Sequence, residues 1–273
     1  MIHRLLPLLA FGLLLAPVRG IAEQRSLPAS GFAESRTVLV IGQPPAVAPA
    51  WIAQAAPGAP RPQPVANVGG SVGRPDIKVG DWWRYRVTDT LTKMTQSVSI
   101  EVTAVTENRI HTRTLESALD AAGPPAAAGV IGVWDRDWNQ LGHGGIEYKP
   151  FYPALQFPLE PGKQWSGTVQ WDSGSGTLRH QLTAQVAGWE RVAVPAGSFD
   201  AVRITVRGYI SESGSRNYYA QSGSISNVIW YAPAVGQIVK KEIDHRDNTP
   251  IFLGRLAERW ELVEHRRHEQ NPR

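Results

Sequence analysis

The stretch from Trp189 to Glu242 constrains the fold more than any other, because it alternates with a period of two and is punctuated by proline and glycine. Val192 and Val194, then Val202, Ile204 and Val206, recur at every second position, while Arg203, Thr205 and Arg207 take the opposite parity. Successive side chains of a strand point to opposite faces, so this is the pattern of half-buried β-strands. Pro195 fixes φ near the value required at the second position of a type I turn, and Gly197 supplies the positive φ that follows it. Pro233 and Gly236 repeat the recipe between Asn227–Tyr231 and Gln237–Lys240. All four residues are read as structural turn positions that close hairpins.

The same grammar extends along the chain. Trp83, Tyr85 and Val87 share one parity, as do Val98, Ile100 and Val102. Further strands are expected at Arg109–Leu115, Val130–Trp134, Trp165–Trp171, Thr177–Val186, Arg191–Val194, Asp200–Gly208, Ser226–Tyr231, Gln237–Ile243 and Leu256–Val263, with Trp260 and Leu262 inward. Only Glu116–Ala122 reads as a short helix. The fold class is therefore all-β: a single antiparallel, strongly curved sheet, half-barrel or barrel, of about 9–11 strands with few helices, since so many strands must curl or close. A repeat is also visible. Pro161–Trp165 echoes Val79–Trp83, Leu182 echoes Val102, and Val192 echoes Ile110.

Composition divides the chain into four. Residues 1–22 read as a signal peptide, with Arg4 ahead of the apolar run Leu5–Leu15, which is too short to span a bilayer as a helix. Residues 23–74 are an Ala/Pro-rich linker, expected to be disordered, in which Thr37–Ile41 and Trp51 are the apolar exceptions. Residues 75–264 are the β-domain, and 265–273 a charged tail. The chain has no cysteine, so it has neither a lipidated cysteine nor a disulfide. Removing the signal peptide, with its two arginines and no acid, lowers the net charge from +4 to +2, too little to argue for nucleic acid. No later stretch is apolar enough to span a membrane. The expected location is periplasmic or secreted.

Chemistry-bearing motifs are sparse. His265 and His268 lack the further ligands that a zinc site needs. His180 falls on an apolar face with Ala184 and Val186; it is either a core histidine or, beside a carboxylate, a catalytic candidate. Asp135 and Asp137 flank Arg136 and read as a general acid–base pair or a solvated turn. No nucleophile elbow or phosphate loop is present. No catalytic residue, metal site or cofactor is assigned. The remaining signal is aromatic: of ten tryptophans, Trp134 and Trp138 fall in an irregular segment with Tyr148 and Tyr152, and Tyr218 and Tyr219 fall in a polar loop. These six are the candidate ligand-binding residues.

Val194–Phe199, Trp230–Pro233 and Gly236–Lys240, together with the strand-opening motifs Gly80–Tyr85 and Phe157–Trp165, resemble exported bacterial β-proteins of unassigned activity that stand near the lipoprotein-localisation-factor-like β-half-barrels. The resemblance covers about residues 75–263. It implies a periplasmic, non-enzymatic binding module with a lipid or lipoprotein as its partner, because localisation factors hold acyl chains in a helix-covered half-barrel. This chain has no such helices, and the segment Trp134–Tyr152 is expected to serve as the lid. Two other readings stand beside it: a carbohydrate- or surface-binding module using the loop tryptophans, and an enzyme.

Overall fold

In a computed structural model of the chain, the described residues are 70–118, 129–149, 154–172, 176–214, 222–247 and 255–267. The expected signal peptide, nearly all of the linker, and Tyr152, Tyr218 and Tyr219 lie outside them. Twelve strands form among the described residues: β1 (Trp82–Asp89), β2 (Thr95–Val105), β3 (Ile110–Ala118), β4 (Val130–Trp134), β5 (Gln140–His143), β6 (Ile146–Glu147), β7 (Gln164–Asp172), β8 (Thr177–Val194), β9 (Gly197–Ser213), β10 (Ser222–Ala232), β11 (Gln237–Asp247) and β12 (Arg255–Arg266). They make one antiparallel sheet in the order β6-β5-β4-β3-β2-β1-β12-β11-β10-β9-β8-β7. The fold is thus all-β, a nearly closed barrel built as two six-stranded meanders.

The two seams between the meanders differ. β1 and β12 pair along their length, from Trp82 opposite Arg266 to Asp89 opposite Glu258. On the outer face of this seam Arg86 pairs with Glu261 at 2.9 Å, and Arg84 with Glu264. At the other seam Lys149 N–H donates to Gln170 C=O at 2.9 Å, just beyond the two-residue β6. The Tyr148 and Trp171 rings meet edge to face beside that bond, 5.9 Å apart.

The sequence repeat is a repeat of hydrogen bonding. Gly80 N–H donates to Val102 C=O, and Gly162 N–H to Val186 C=O, each at 2.9 Å. Val102 N–H returns to Asp81 C=O and Val186 N–H to Lys163 C=O, again at 2.9 Å. The two glycines have φ of 87° and 86°. The structural counterpart of Val102 is therefore Val186, four residues beyond the Leu182 that the sequence echo suggested.

Period-two alternation places the core as expected. Trp83, Tyr85, Val87, Val98, Ile100, Val102, Val202, Ile204, Val206, Trp260 and Leu262 are all buried in one continuous cluster. Three local expectations change. Thr177–Val186 and Arg191–Val194 are one strand, β8, because a bulge between Val186 and Gly188 restores the alternation that Ala187 and Gly188 interrupt. Glu116–Ala118 continues β3 as strand. The irregular aromatic segment contains β5 and β6, joined through Gly144 and Gly145 at φ 56° and 87°. The first residues of the expected tail are also integrated: His265 and Arg266 complete β12, and Arg267 reaches the buried Asp81 at 3.4 Å.

Both proline turns close hairpins. β8 passes to β9 through Pro195 and Ala196, with Gly197 at φ 130°. Gly236, at φ 69°, donates to Ala232 C=O at 2.9 Å. Gly197→Val forces a β-branched residue into backbone space that L-residues rarely adopt. It is expected to cost about 1–2 kcal/mol, read as a lower midpoint in urea; an unchanged midpoint would exclude a strained φ at this turn.

Candidate functional site

Strand direction gives the barrel two unlike ends. The hairpin turns at 106–109, 135–139, 195–196 and 233–236 gather at one end, with the segment Ala154–Lys163. This end is plugged. Trp138, at φ 63°, packs edge to face on Trp83 at 5.5 Å and on Trp134 at 5.7 Å. Trp134 Nε1 donates to Thr112 Oγ1 at 2.9 Å. The turn beneath is knotted by side chains: Asp135 Oδ1 accepts from the backbone of Asp137 and of Asn139, both at 2.8 Å. Asn139 Nδ2 donates to Leu155 C=O at 3.0 Å, and its Oδ1 accepts from Leu155 N–H at 2.9 Å. Asp135 is thus a turn-builder, while Asp137 pairs with Arg74.

At the far end lie the β1–β2 and β5–β6 turns and the C-terminal ends of β3, β7, β9 and β11. On the inner wall below it, polar side chains break the apolar lining. They are Glu116 on β3, His143 on β5, His180 on β8, Asn227 on β10, Lys241 and His245 on β11, and Glu258 on β12. His180, Asn227, Lys241 and His245 are 2%, 1%, 1% and 3% exposed. The ammonium of Lys241 sits 4.7 Å over the Trp260 ring, whose Nε1 donates to Glu258 Oε2 at 2.8 Å. His245 Nε2 is 3.1 Å from Asn227 Oδ1. The His180 ring meets Trp171 edge to face at 4.7 Å, and Trp171 meets Tyr148 in turn. The array therefore runs nearly round the wall, from Glu116 through Glu258, Lys241 and His245 to His180 and Tyr148.

Burial governs its protonation. It lowers His180 to about 3, assisted by the neighbouring His245, and lowers His245 to about 4, assisted by Lys241. Both imidazoles are neutral at ordinary pH. Lys241 falls to about 8 through burial, against the pull of Glu258. Glu116 rises to about 7 through burial and then the charge of Glu258. Glu258 is itself raised by burial, opposed by its bond from Trp260 and by Lys241. Several buried atoms find no hydrogen-bond partner among the described residues: Glu116 Oε1, His143 Nδ1, Tyr148 Oη, His180 Nδ1, Asn227 Nδ2 and His245 Nδ1. Leaving such a group unpaired costs about 1–3 kcal/mol, so their gathering around the inner wall needs a cause.

Of the candidates chosen from sequence, Trp134 and Trp138 sit together in the plug, and Tyr148 sits at the edge of the polar array. His180 is on the inner wall, beside Trp171 and His245. Glu116, Asn227, Lys241, His245 and Glu258 were not singled out, although a polar residue at inward strand parity marks them: His245 two places after Ile243, Glu258 two before Trp260.

Among the described residues the barrel is thus plugged at one end, and unmatched polar atoms line its inner wall towards the other. No family model matches the chain, and no curated protein matches it. Among solved structures, a putative exported protein with a YmcC-like fold from Bacteroides fragilis is 14% identical, over 72% of this chain and 100% of that one, with a TM-score of 0.44. A putative lipoprotein from Parabacteroides distasonis is 12% identical, over 71% and 99%, with a TM-score of 0.41. The hypothetical lipoprotein YmcC from Escherichia coli is 12% identical, over 69% and 90%, with a TM-score of 0.36. The fold class itself follows from the chain's own strand pairing.

Proposed function

We propose that the protein is an exported, non-enzymatic binding module of the cell envelope that receives an amphiphile in the far half of its barrel. The observation that carries this reading is the array of buried polar atoms without partners among the described residues, set among Leu178, Ile210, Ile225, Ile243 and Leu256. A ligand with a polar head and an apolar body would satisfy both parts of that wall. The plugged half is filled by Trp83, Trp134, Trp138 and Leu159, so the ligand belongs to the far half alone. The apolar run Leu5–Leu15 supports export. Titrating the protein with a monoacylglycerol should change tryptophan emission saturably, because Trp171 and Trp260 border the array. Native mass spectrometry of periplasmically expressed protein should show a co-purifying lipid mass. Absence of both results would sink the reading.

A glycan-binding reading has one observation of its own. On the outer face of β7–β11 a groove of about 710 Å³ is lined by Thr168, Gln181, Arg207, Tyr209, Ser224 and Arg246. Tyr209 is 72% exposed there, a ring available for stacking on a sugar. Saturable binding of a soluble oligosaccharide, abolished by Tyr209→Ala, would favour this reading over the first.

A further inference from the structure

The leftover atoms around Asn227 and His245 specify the hydrogen-bonding character of the ligand, provided the far half of the barrel is the ligand site proposed above. An amide oxygen only accepts, so with Asn227 Oδ1 facing His245 Nε2 the proton lies on Nε2. His245 Nδ1 then keeps a bare lone pair, and Asn227 Nδ2 keeps its protons. Turning the amide over leaves the same inventory. Nδ2 would donate to Nε2, the imidazole proton would move to Nδ1, and Oδ1 would offer its lone pairs. In either arrangement at least one donor and one acceptor stand unmet on this hydrogen-bonded pair, whose side chains are 1% and 3% exposed.

A carboxylate or phosphate only accepts and would leave the acceptor unmet. The two histidines would give it no counter-charge, since burial keeps them neutral. Lys241 is already engaged with Trp260 and held by the field of Glu258. An ammonium would leave the donor unmet and face Lys241. A hydroxyl or a primary amide both donates and accepts, and so matches both kinds of unmet group. We infer that this site takes the uncharged hydroxyl or amide head of an amphiphile, such as a fatty alcohol, a glycerol ester or a fatty amide, in preference to a charged head.

The test is a set of amphiphiles of one chain length, titrated into the full-length protein at neutral pH below their micelle concentrations: alcohol, monoacylglycerol, primary amide, fatty acid and alkyl phosphate. The neutral three should bind at least about tenfold more tightly than the two anions. Asn227→Asp, which keeps the shape but replaces the amide donor, should weaken the neutral ligands by about tenfold; if that variant does not fold, the wild-type series decides alone. Anions binding as tightly as the neutral heads would overturn the inference while leaving the container intact. No saturable binding by any member would overturn both, and the pair would then be a hydrated part of the core.

Discussion

Gly208→Ala is expected to lower the melting temperature by about 10 °C, corresponding to a loss of about 3 kcal/mol. The cause is local and geometric. Gly208 lies on the inner parity of β9, opposite Leu182 on β8 and Ile225 on β10. A Cβ added there would stand 2.2 Å from Gln181 C=O and 2.5 Å from Leu182 Cδ2. The side chain can turn away, but the carbonyl belongs to the β8 backbone and can move only with its strand. Leu182→Ala should therefore fail to rescue the variant. Calorimetry of both proteins checks this, and a full recovery in the double variant would show that the side chain alone set the limit.

Acid should destabilise the wild type by about 3 kcal/mol more than His180→Phe between pH 7 and pH 4. His180 titrates at about 3 in the fold and near 6.5 when unfolded. Its pKa is depressed on folding, so its contribution is complete above 6.5 and is lost as pH falls towards the folded value. Phenylalanine fills a similar volume and does not titrate. Glu116 acts in the opposite sense: raised to about 7, it contributes most below its unfolded value of 4.5 and loses that contribution as pH rises through 7. Its effect is common to both proteins and cancels in the comparison. Urea unfolding across this pH range gives the difference directly, and parallel stability curves would mean that His180 is hydrated rather than buried neutral.

The faces of most strands were legible because alternation of period two needs no tertiary information. Tyr85 and Val87, or Ile204 and Val206, had to point the same way. What escaped was whatever a bulge or a glycine pair decides. β5 and β6 are too short, and too close to Gly142, Gly144 and Gly145, to show a period. In β11 the adjacent Lys240 and Lys241 could not be told apart by parity, since Ile238 and Val239 are both buried. The bulge opposite Trp230 and Tyr231 turns Lys241 inward, and Lys240 instead lies over the Trp230 ring. The aromatic candidates were divided by the same kind of detail. Trp138 is drawn into the plug by the turn that Asp135 and Asn139 tie together, a contact between residues and Leu155 that no local pattern announces.

The seam between β1 and β12 has a consequence for how the chain comes to be folded. Pairing Trp82 with Arg266 joins the two extremes of the domain, so it closes a loop that contains every other strand. Such closure costs chain entropy before it returns any contact energy, and domains rich in contacts of this kind fold slowly. Each meander, by contrast, grows through neighbouring hairpins. The well-paired seam is thus the one that is distant in sequence, and the sparsely bonded one, at Lys149 and Gln170, is close. Arg267, reaching Asp81 from the end of β12, is a latch on the slow step: it can engage only after the first and last strands have met.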